Sequence, residues 1–239
     1  MSEPPEDQVA LVDSLQKEHW WFLGLRRLTA RFVEGRPRRV LDAGCGTGHV
    51  LAELPGEIRV GVDVDAASLL LARAKGIESL VRGSVEAMPF EDGCFDLIVS
   101  FDVVSQSGVQ DDREALAGFF RLLRPGGRLI LNVPAHEWLR SGHDVIARTR
   151  HRYSRRELRE ILVSVGFSEM KITHRVSLMF PAVVLRRLTR RNKIETDVGR
   201  PYPLVNRLFL AILWIEDRLL ARVDLPFGLS IFAVADRPR

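Results

Sequence analysis

The densest chemistry in the chain lies in one run, Asp42-Ala43-Gly44-Cys45-Gly46-Thr47-Gly48. Glycines at alternate positions let a backbone turn sharply and approach a ligand closely. An apolar stretch, 39–41, leads into the run, and 49–54 reads as a helix leading out of it. The first N–H groups of such a helix have no partner inside it. Fifteen residues beyond Gly48, Asp63 closes a second apolar stretch. A carboxylate at a strand tip can accept two hydrogen bonds from a ribose diol. Elsewhere, His143-Asp144 and His151 fall on a long polar connection. Paired acid and base groups on a loop suit proton transfer, and the same groups suit capping a helix or tying a loop down. The two cysteines, Cys45 and Cys94, are too few for a disulfide framework or a structural zinc site, and no metal is expected.

These residues need elements to hold them. Residues 1–12, with Pro4 and Pro5, read as a loose tail. Trp21, Leu25, Leu28 and Phe32 then share one helix face, which Gly35 and Pro37 stop. A strand–helix rhythm follows: strands at 39–42, 59–63, 79–82, 95–101 and 128–133, and helices at 49–54, 66–74 and 113–123. Alternation of this kind, with apolar strands, implies a parallel sheet covered on both faces. After residue 135 the rhythm changes. A polar connection at 136–152 precedes a helix at 154–165, where Ser154 and Glu157 have capping-box spacing. A strand at 170–176, helices at 178–191 and 204–222, and a last strand at 228–235 complete the chain.

With 239 residues, 46% hydrophobic and 28% charged, the chain is globular and not disordered. A net charge of +4 does not by itself identify nucleic acid as a partner. The N-terminal stretch is acidic and polar, unlike a secretory signal, and the longest apolar run, 208–215, is too short to span a bilayer. A cytoplasmic location, with peripheral contact at the inner membrane face as an extension, is the expectation.

The glycine run does not fit G-x-G-x-x-G, because His49 stands where the third glycine belongs, and G-x-x-x-x-G-K-S/T is absent. Its D-x-G-x-G-x-G resembles the first motif of the class I S-adenosylmethionine-dependent methyltransferases, of the bacterial small-molecule, methyltransferase domain 11 kind. The resemblance continues in order through GVDVD at 61–65, GSVEAMPFEDGCFDLIVS at 83–100 and LLRPGGRLILNVP at 122–134, covering 38–135. It implies an α/β, Rossmann-like, doubly wound, seven-stranded sheet with its last strand antiparallel and a helical insertion before it. The expected divisions are an N-terminal helical cap at 1–37, a cofactor-binding core at 38–177, a helical insertion at 178–227 and the final strand at 228–239. The implied cofactor is S-adenosyl-L-methionine. Gly44, Cys45 and Gly46 would pack on its methionine part, with Cys45 a small packing residue and not a nucleophile. Asp42 would orient the turn and the amino group, and Asp63 the ribose. Val64 and Met88 would wall the adenine, and Val85 would lend it a backbone N–H. Phe101, at the end of the fourth strand, joins the cofactor contacts. Ser84 stands where the family usually has an aspartate facing the adenine amine, so that bond loses its charge assistance.

The family places the methyl acceptor beyond strands four and five, whose ends here carry Phe101, Asp102, Asn132, Pro134 and His136. The tip SFDVV is not the N-P-P-Y/F tetrapeptide of enzymes that methylate base amines. An oxygen acceptor, or secondarily a carbon, is therefore expected, and DNA is not. The stretch with His143, Asp144 and His151, and an N-terminal His19-Trp20-Trp21-Phe22 with Arg26 and Arg27, resemble motifs of a bacterial subgroup. On that basis His143, Asp144 and His151 are the expected catalytic residues. Arginines cluster at 140–159 and again at Arg186, Arg187, Arg190, Arg191 and Lys193. They could solvate helices, guide an anionic substrate or meet an anionic membrane. Leu204, Leu208, Ile212, Ile215 and Leu219 form one stripe of a late helix, read first as an apolar lid or pocket wall and second as a dimer or membrane face. The expected activity is methylation of a small, hydrophobic or lipid-linked acceptor with a nearby negative charge, by a monomer or homodimer. An RNA or protein methyltransferase and a non-catalytic cofactor-binding module are the alternatives.

Overall fold

A computed structural model describes residues 6–189, 199, 202–220 and 222–239. Seven strands form one sheet: β1 (Arg39–Ala43), β2 (Ile58–Asp63), β3 (Ser79–Arg82), β4 (Phe95–Phe101), β5 (Leu123–Pro134), β6 (Ser168–Arg175) and β7 (Ser230–Asp236). Their order is β3-β2-β1-β4-β5-β7-β6. The first five strands run parallel, and β7 is antiparallel to both β5 and β6. The carboxyl ends of β1 to β6 thus share one edge of the sheet with the start of β7, and order reverses between β1 and β4. That crevice is where open α/β sheets bind ligands.

Nine helices surround the sheet in the described residues: α1 (Glu6–Glu18), α2 (Trp20–Phe32), α3 (His49–Glu53), α4 (Ala66–Ala74), α5 (Asp112–Leu122), α6 (Gly142–Ile146), α7 (Arg155–Val165), α8 (Phe180–Thr189) and α9 (Pro203–Leu220). Successive strand residues point to opposite faces. Leu129 and Leu131 join Leu116 and Phe119 of α5 and Leu158 and Leu162 of α7 in one core. Ile130, between them, joins Leu25 and Leu28 of α2 and Leu51 of α3 in the other. A third, smaller core lies above the carboxyl edge. It contains Leu139, Val176, Met179, Leu213 and Leu229, with Trp20, Trp21, Phe180 and Phe209 packed against it. Helices α2, α8 and α9 supply it, so the N-terminal segment and the late helices form one cap.

Three expectations change. Residues 6–12 are the first turns of α1 and not a loose tail. The chain breaks at His19, which caps α2 by accepting a hydrogen bond from Trp21 N at 3.2 Å on its Nδ1. The connection 136–152 holds a short 3-10 turn (Glu137–Leu139) and α6. Last, the α9 stripe divides: Leu204, Leu208, Ile215 and Leu219 are 78%, 57%, 50% and 42% exposed, while Ile212 packs against the third core. The opposite side of α9 faces inward because its two acids are engaged there. Glu216 accepts from Val176 N, Ser177 N and Leu178 N at 2.6, 2.7 and 3.0 Å, and Asp217 pairs with Arg27 at 2.8 Å. Of the second basic cluster, Arg190, Arg191 and Lys193 lie outside the described residues.

Candidate functional site

The glycine run caps β1 at the crevice. Gly44 N and Cys45 N donate to Val62 O at 2.8 and 2.9 Å, which clamps the turn to β2. Gly44, Gly46 and Gly48 have φ of 88°, 49° and 82°, a left-handed backbone that favours glycine. At Gly44 the need is doubly fixed, because a Cβ there would lie 2.2 Å from Val103 Cγ2. Asp63 accepts from Gly46 N at 2.7 Å and from Asp65 N at 3.0 Å, one bond to each carboxylate oxygen. Each oxygen keeps a further lone pair for a diol. Asp42 is buried, and its Oδ2 has no hydrogen-bond partner among the described residues. Burial, and then the charge of Asp63, push its carboxyl up to about 8. A buried, orphaned carboxyl oxygen beside the turn suits an ammonium ligand.

Cys45 is a packing residue: burial pushes its thiol up, and a Cβ on Gly61 would sit 2.7 Å from its Sγ. Ser84 Oγ accepts from Glu86 N at 3.2 Å. Val64 is exposed and free to face a ring, whereas Val85 and Met88 are packed in the first core. Phe101 is half-buried at the tip of β4. Helix α1 lies across the turn, which no motif announced. Thr47 Oγ1 donates to Gln16 Oε1 at 2.8 Å, His49 Nε2 lies 3.0 Å from Asp13 Oδ1, and Lys75 Nζ donates to the same oxygen at 2.5 Å.

Beyond β4, Asp102 stands at φ 58°, a conformation that aspartate tolerates better than most residues. Its Oδ1 accepts from Asn132 Nδ2 at 2.9 Å, and its N–H donates to Asn132 O at 2.8 Å. Burial pushes its carboxyl up to about 6, against the opposing pull of Asn132, Arg175 and Arg152. Asn132 Oδ1 is buried without a partner. Arg175 is fully buried under α2. Its Nη2 donates to Trp21 O at 2.9 Å and its guanidinium stacks 4.9 Å from the Trp21 ring, while Nε and Nη1 have no hydrogen-bond partner among the described residues. Asp217, Glu216 and Asp102 supply the counter-charge. His136 and His174 stack at 4.9 Å and 8°, each with a buried, unpartnered Nε2. Burial lowers both imidazoles, that of His174 to about 4, which keeps them neutral at pH 7.

Of the three loop residues singled out in the sequence, His151 comes alongside the segment after β4, its backbone N–H donating to Ser105 O at 3.3 Å. Arg150 N donates to Ser105 O at 2.7 Å and Ser107 N to Arg148 O at 2.8 Å, strapping the connection to it. Asp144 does not stand free for proton transfer. It accepts from Ser141 N at 2.8 Å as the capping box of α6, and from Arg152 Nε at 2.7 Å. Arg152 accordingly holds its carboxyl below the usual range despite the opposing effect of burial. His151 Nε2 is 2.7 Å from Glu157 Oε1, and its ring meets Tyr153 edge-on at 4.6 Å. His143 sits half-buried on α6. Most of the loop arginines are similarly engaged: Arg140, Arg150, Arg152, Arg155 and Arg156 pair with Glu137, Asp112, Asp144, Asp224 and Glu160. Sequence reading had named Asp102, Asn132 and His136 only as strand ends. His174 and Arg175 gave no signal, because nothing local marks the end of β6 as part of the site.

Residues 41–131 match a family model described as a methyltransferase domain. A probable S-adenosylmethionine-dependent methyltransferase of Mycolicibacterium smegmatis is 29% identical over 65% of this chain and 62% of its own length. A ubiquinone/menaquinone biosynthesis C-methyltransferase of Cronobacter sakazakii is 34% identical over 51% of this chain and 55% of its own. The chain thus spans less than two thirds of these relatives. Among solved structures, an S-adenosylmethionine-dependent methyltransferase of Thermotoga maritima superposes with a TM-score of 0.64 at 20% identity, over 97% of both chains. Phosphoethanolamine N-methyltransferase 2 of Haemonchus contortus, in complex with S-adenosyl-L-methionine, gives 0.65 at 16% identity over 98% of this chain and 58% of that one. At such identities these two speak for the fold. Residues 41–131 thus match a methyltransferase domain, and the chain as a whole has the fold of solved S-adenosylmethionine-dependent methyltransferases.

Proposed function

We propose that the protein transfers a methyl group from S-adenosylmethionine to an oxygen of a small, apolar or lipid-linked acceptor, held between the β4–β5 tips and the α2–α8–α9 cap. The observation that carries this is the Asp102 carboxyl: half-buried, held by Asn132 and pushed up to about 6. The cofactor supplies a methyl already activated by its sulfonium charge. Asp42 would hold its ammonium, Gly44 to Gly46 its methionine part and Asp63 its ribose. Ser84, Val64 and the Val85 N–H would face its adenine.

The chain's own work is placement, water exclusion and proton removal. Asp102 takes the acceptor's hydroxyl proton as the new oxygen–carbon bond forms. A carboxylate whose affinity for protons is raised toward neutrality, yet which is still ionised at pH 7, is a stronger base than an ordinary one. Asn132 orients it, and the strained backbone aims it. The cap and α1 keep water out. His151, bonded to Glu157, and His143 are the second candidates for proton transfer, while Asp144 acts by shaping the loop that carries them. A carbon acceptor is the second reading, favoured by the match to proteins named as C-methyltransferases of ubiquinone/menaquinone biosynthesis. In that case Asp102 takes the proton from the methylated carbon.

The test is a labelled-methyl assay on fractionated lipid extract, with mass spectrometry of the product. Label should enter an apolar fraction with the wild type, and at least about 100-fold more slowly with Asp102→Asn, the usual scale of a lost general base. Full activity in Asp102→Asn together with loss in His151→Ala would move the base to the loop.

A further inference from the structure

Helix α9 has two faces of opposite character. The inward face is fixed by bonds that leave no freedom of rotation. Leu213 and Leu220 are buried. Glu216 caps the chain at 176–178, Asp217 pairs with Arg27, and Asn206 accepts from Trp20 N and donates to Glu18 O, both at 2.8 Å. The outward face is then Leu204, Leu208, Ala211, Ile215 and Leu219, spaced as one continuous stripe along the helix. Single exposed apolar residues are ordinary, but a stripe of this length marks an interaction surface.

Charge identifies the occupant. Arg207, Arg218 and Arg222 are exposed and flank the stripe, and the Arg218 guanidinium lies 3.4 Å from the centre of the Trp214 ring. Both acids of the helix are turned inward, so its outer face carries positive charge alone. A second copy docked on this face would set arginines against arginines. An anionic bilayer complements it: aliphatic side chains enter the acyl boundary, arginines meet the head groups and a tryptophan sits at the interface. Among the described residues no helix is long and apolar enough to cross a membrane, so α9 would lie in the surface plane. We propose that α9 docks the protein on an anionic membrane surface through Leu204, Leu208, Ile215 and Leu219, with Arg207, Arg218 and Arg222 on the head groups. The cap would then separate the bilayer from the carboxyl edge of the sheet, the right order for an acceptor that arrives from the lipid.

The test needs no turnover and so stands apart from the proposed reaction. The full chain is sedimented with phosphatidylglycerol/phosphatidylcholine vesicles and with phosphatidylcholine alone, at low and high salt. Binding to the anionic vesicles that weakens with salt is expected. Leu208→Glu with Ile215→Glu should lower partitioning at least tenfold without lowering the melting temperature, since both side chains already face solvent. Arg207→Ala and Arg218→Ala should each weaken it about fivefold, from the worth of one cation near an anionic surface. These arginine variants keep the test alive if the double glutamate variant misfolds. No binding at low salt, or equal binding by the variants, overturns the proposal. So does a wild-type dimer that Leu208→Glu converts to monomer, which would assign the face to a second copy.

Discussion

Two carboxyl groups at the tips of adjacent strands, the buried Asp42 on β1 and the half-buried Asp63 on β2, flank the glycine turn. Burial, and then the nearby charge of Asp63, push the Asp42 carboxyl up to about 8, so at pH 7 it is mostly protonated before ligand arrives. An ammonium ligand favours the ionised form and drives the proton off. Cofactor binding at pH 7 should therefore release a proton, with affinity rising from pH 6 toward about pH 8. Calorimetry in buffers of differing ionisation heat reads this directly, and Asp42→Asn should abolish the release. Asp102 obeys the same logic at the other strand tip. Its folded value, about 6, lies above the ordinary carboxylate range. The protonated form is thus the one folding favours. Its contribution is complete below the ordinary value and is lost as pH rises through about 6. Asp102→Asn should raise stability to urea by about 2 kcal/mol at pH 8, with the gain gone by pH 4, while methyl transfer collapses. Asparagine also tolerates the left-handed backbone there.

Elements place these residues with uneven visibility. The glycine turn was legible because its backbone demand is local. Gly44→Ala meets both a left-handed φ and Val103, and should abolish cofactor binding in an equilibrium titration while leaving the sheet's circular dichroism in place. Helix α1 was only half legible. Its hold on the turn passes through Asp13 to His49 and Lys75, partners far away in sequence. Asp13→Ala should raise amide exchange across α1 and cost about 1 kcal/mol, the scale of a partly exposed pair. The sequence leaves the rotation of α9 open between an inward and an outward stripe. The hydrogen bonds that Glu216 and Asp217 make to distant backbone and to Arg27 turn most of the stripe outward.

At the scale of the whole molecule, a conventional two-faced sheet carries a separate small core above its carboxyl edge. The first and last thirds of the chain meet there: α2 and α9 are joined by Arg27–Asp217, and by a Gly24 that leaves room for Leu213, whose Cδ1 would lie 2.4 Å from a Cβ. Arg27→Met leaves Asp217 buried without its strongest counter-charge. It should destabilise by about 1–3 kcal/mol, the cost of an unmatched buried polar group. Hydrogen exchange should show the loss greatest in α2 and α9, with β1, β4 and β5 still protected by the core on the opposite face of the sheet, to which neither helix contributes.

What the sequence by itself determined is the local grammar: strand and helix periods, the glycine turn, the acid at the end of β2 and the order of motifs that resembles a methyltransferase domain. Each follows from interactions spanning a few residues. Tertiary structure alone decided which charged residues are free to act. Asp144 and Asp102 look alike in sequence, two aspartates outside the strands on the carboxyl side of β4 and β5. One is held by Arg152 and a helix cap, and the other by Asn132 in a half-buried corner whose desolvation raises its proton affinity. Burial and partner charge set the proton affinity of each, and both depend on groups brought together only when the sheet and its cap have closed.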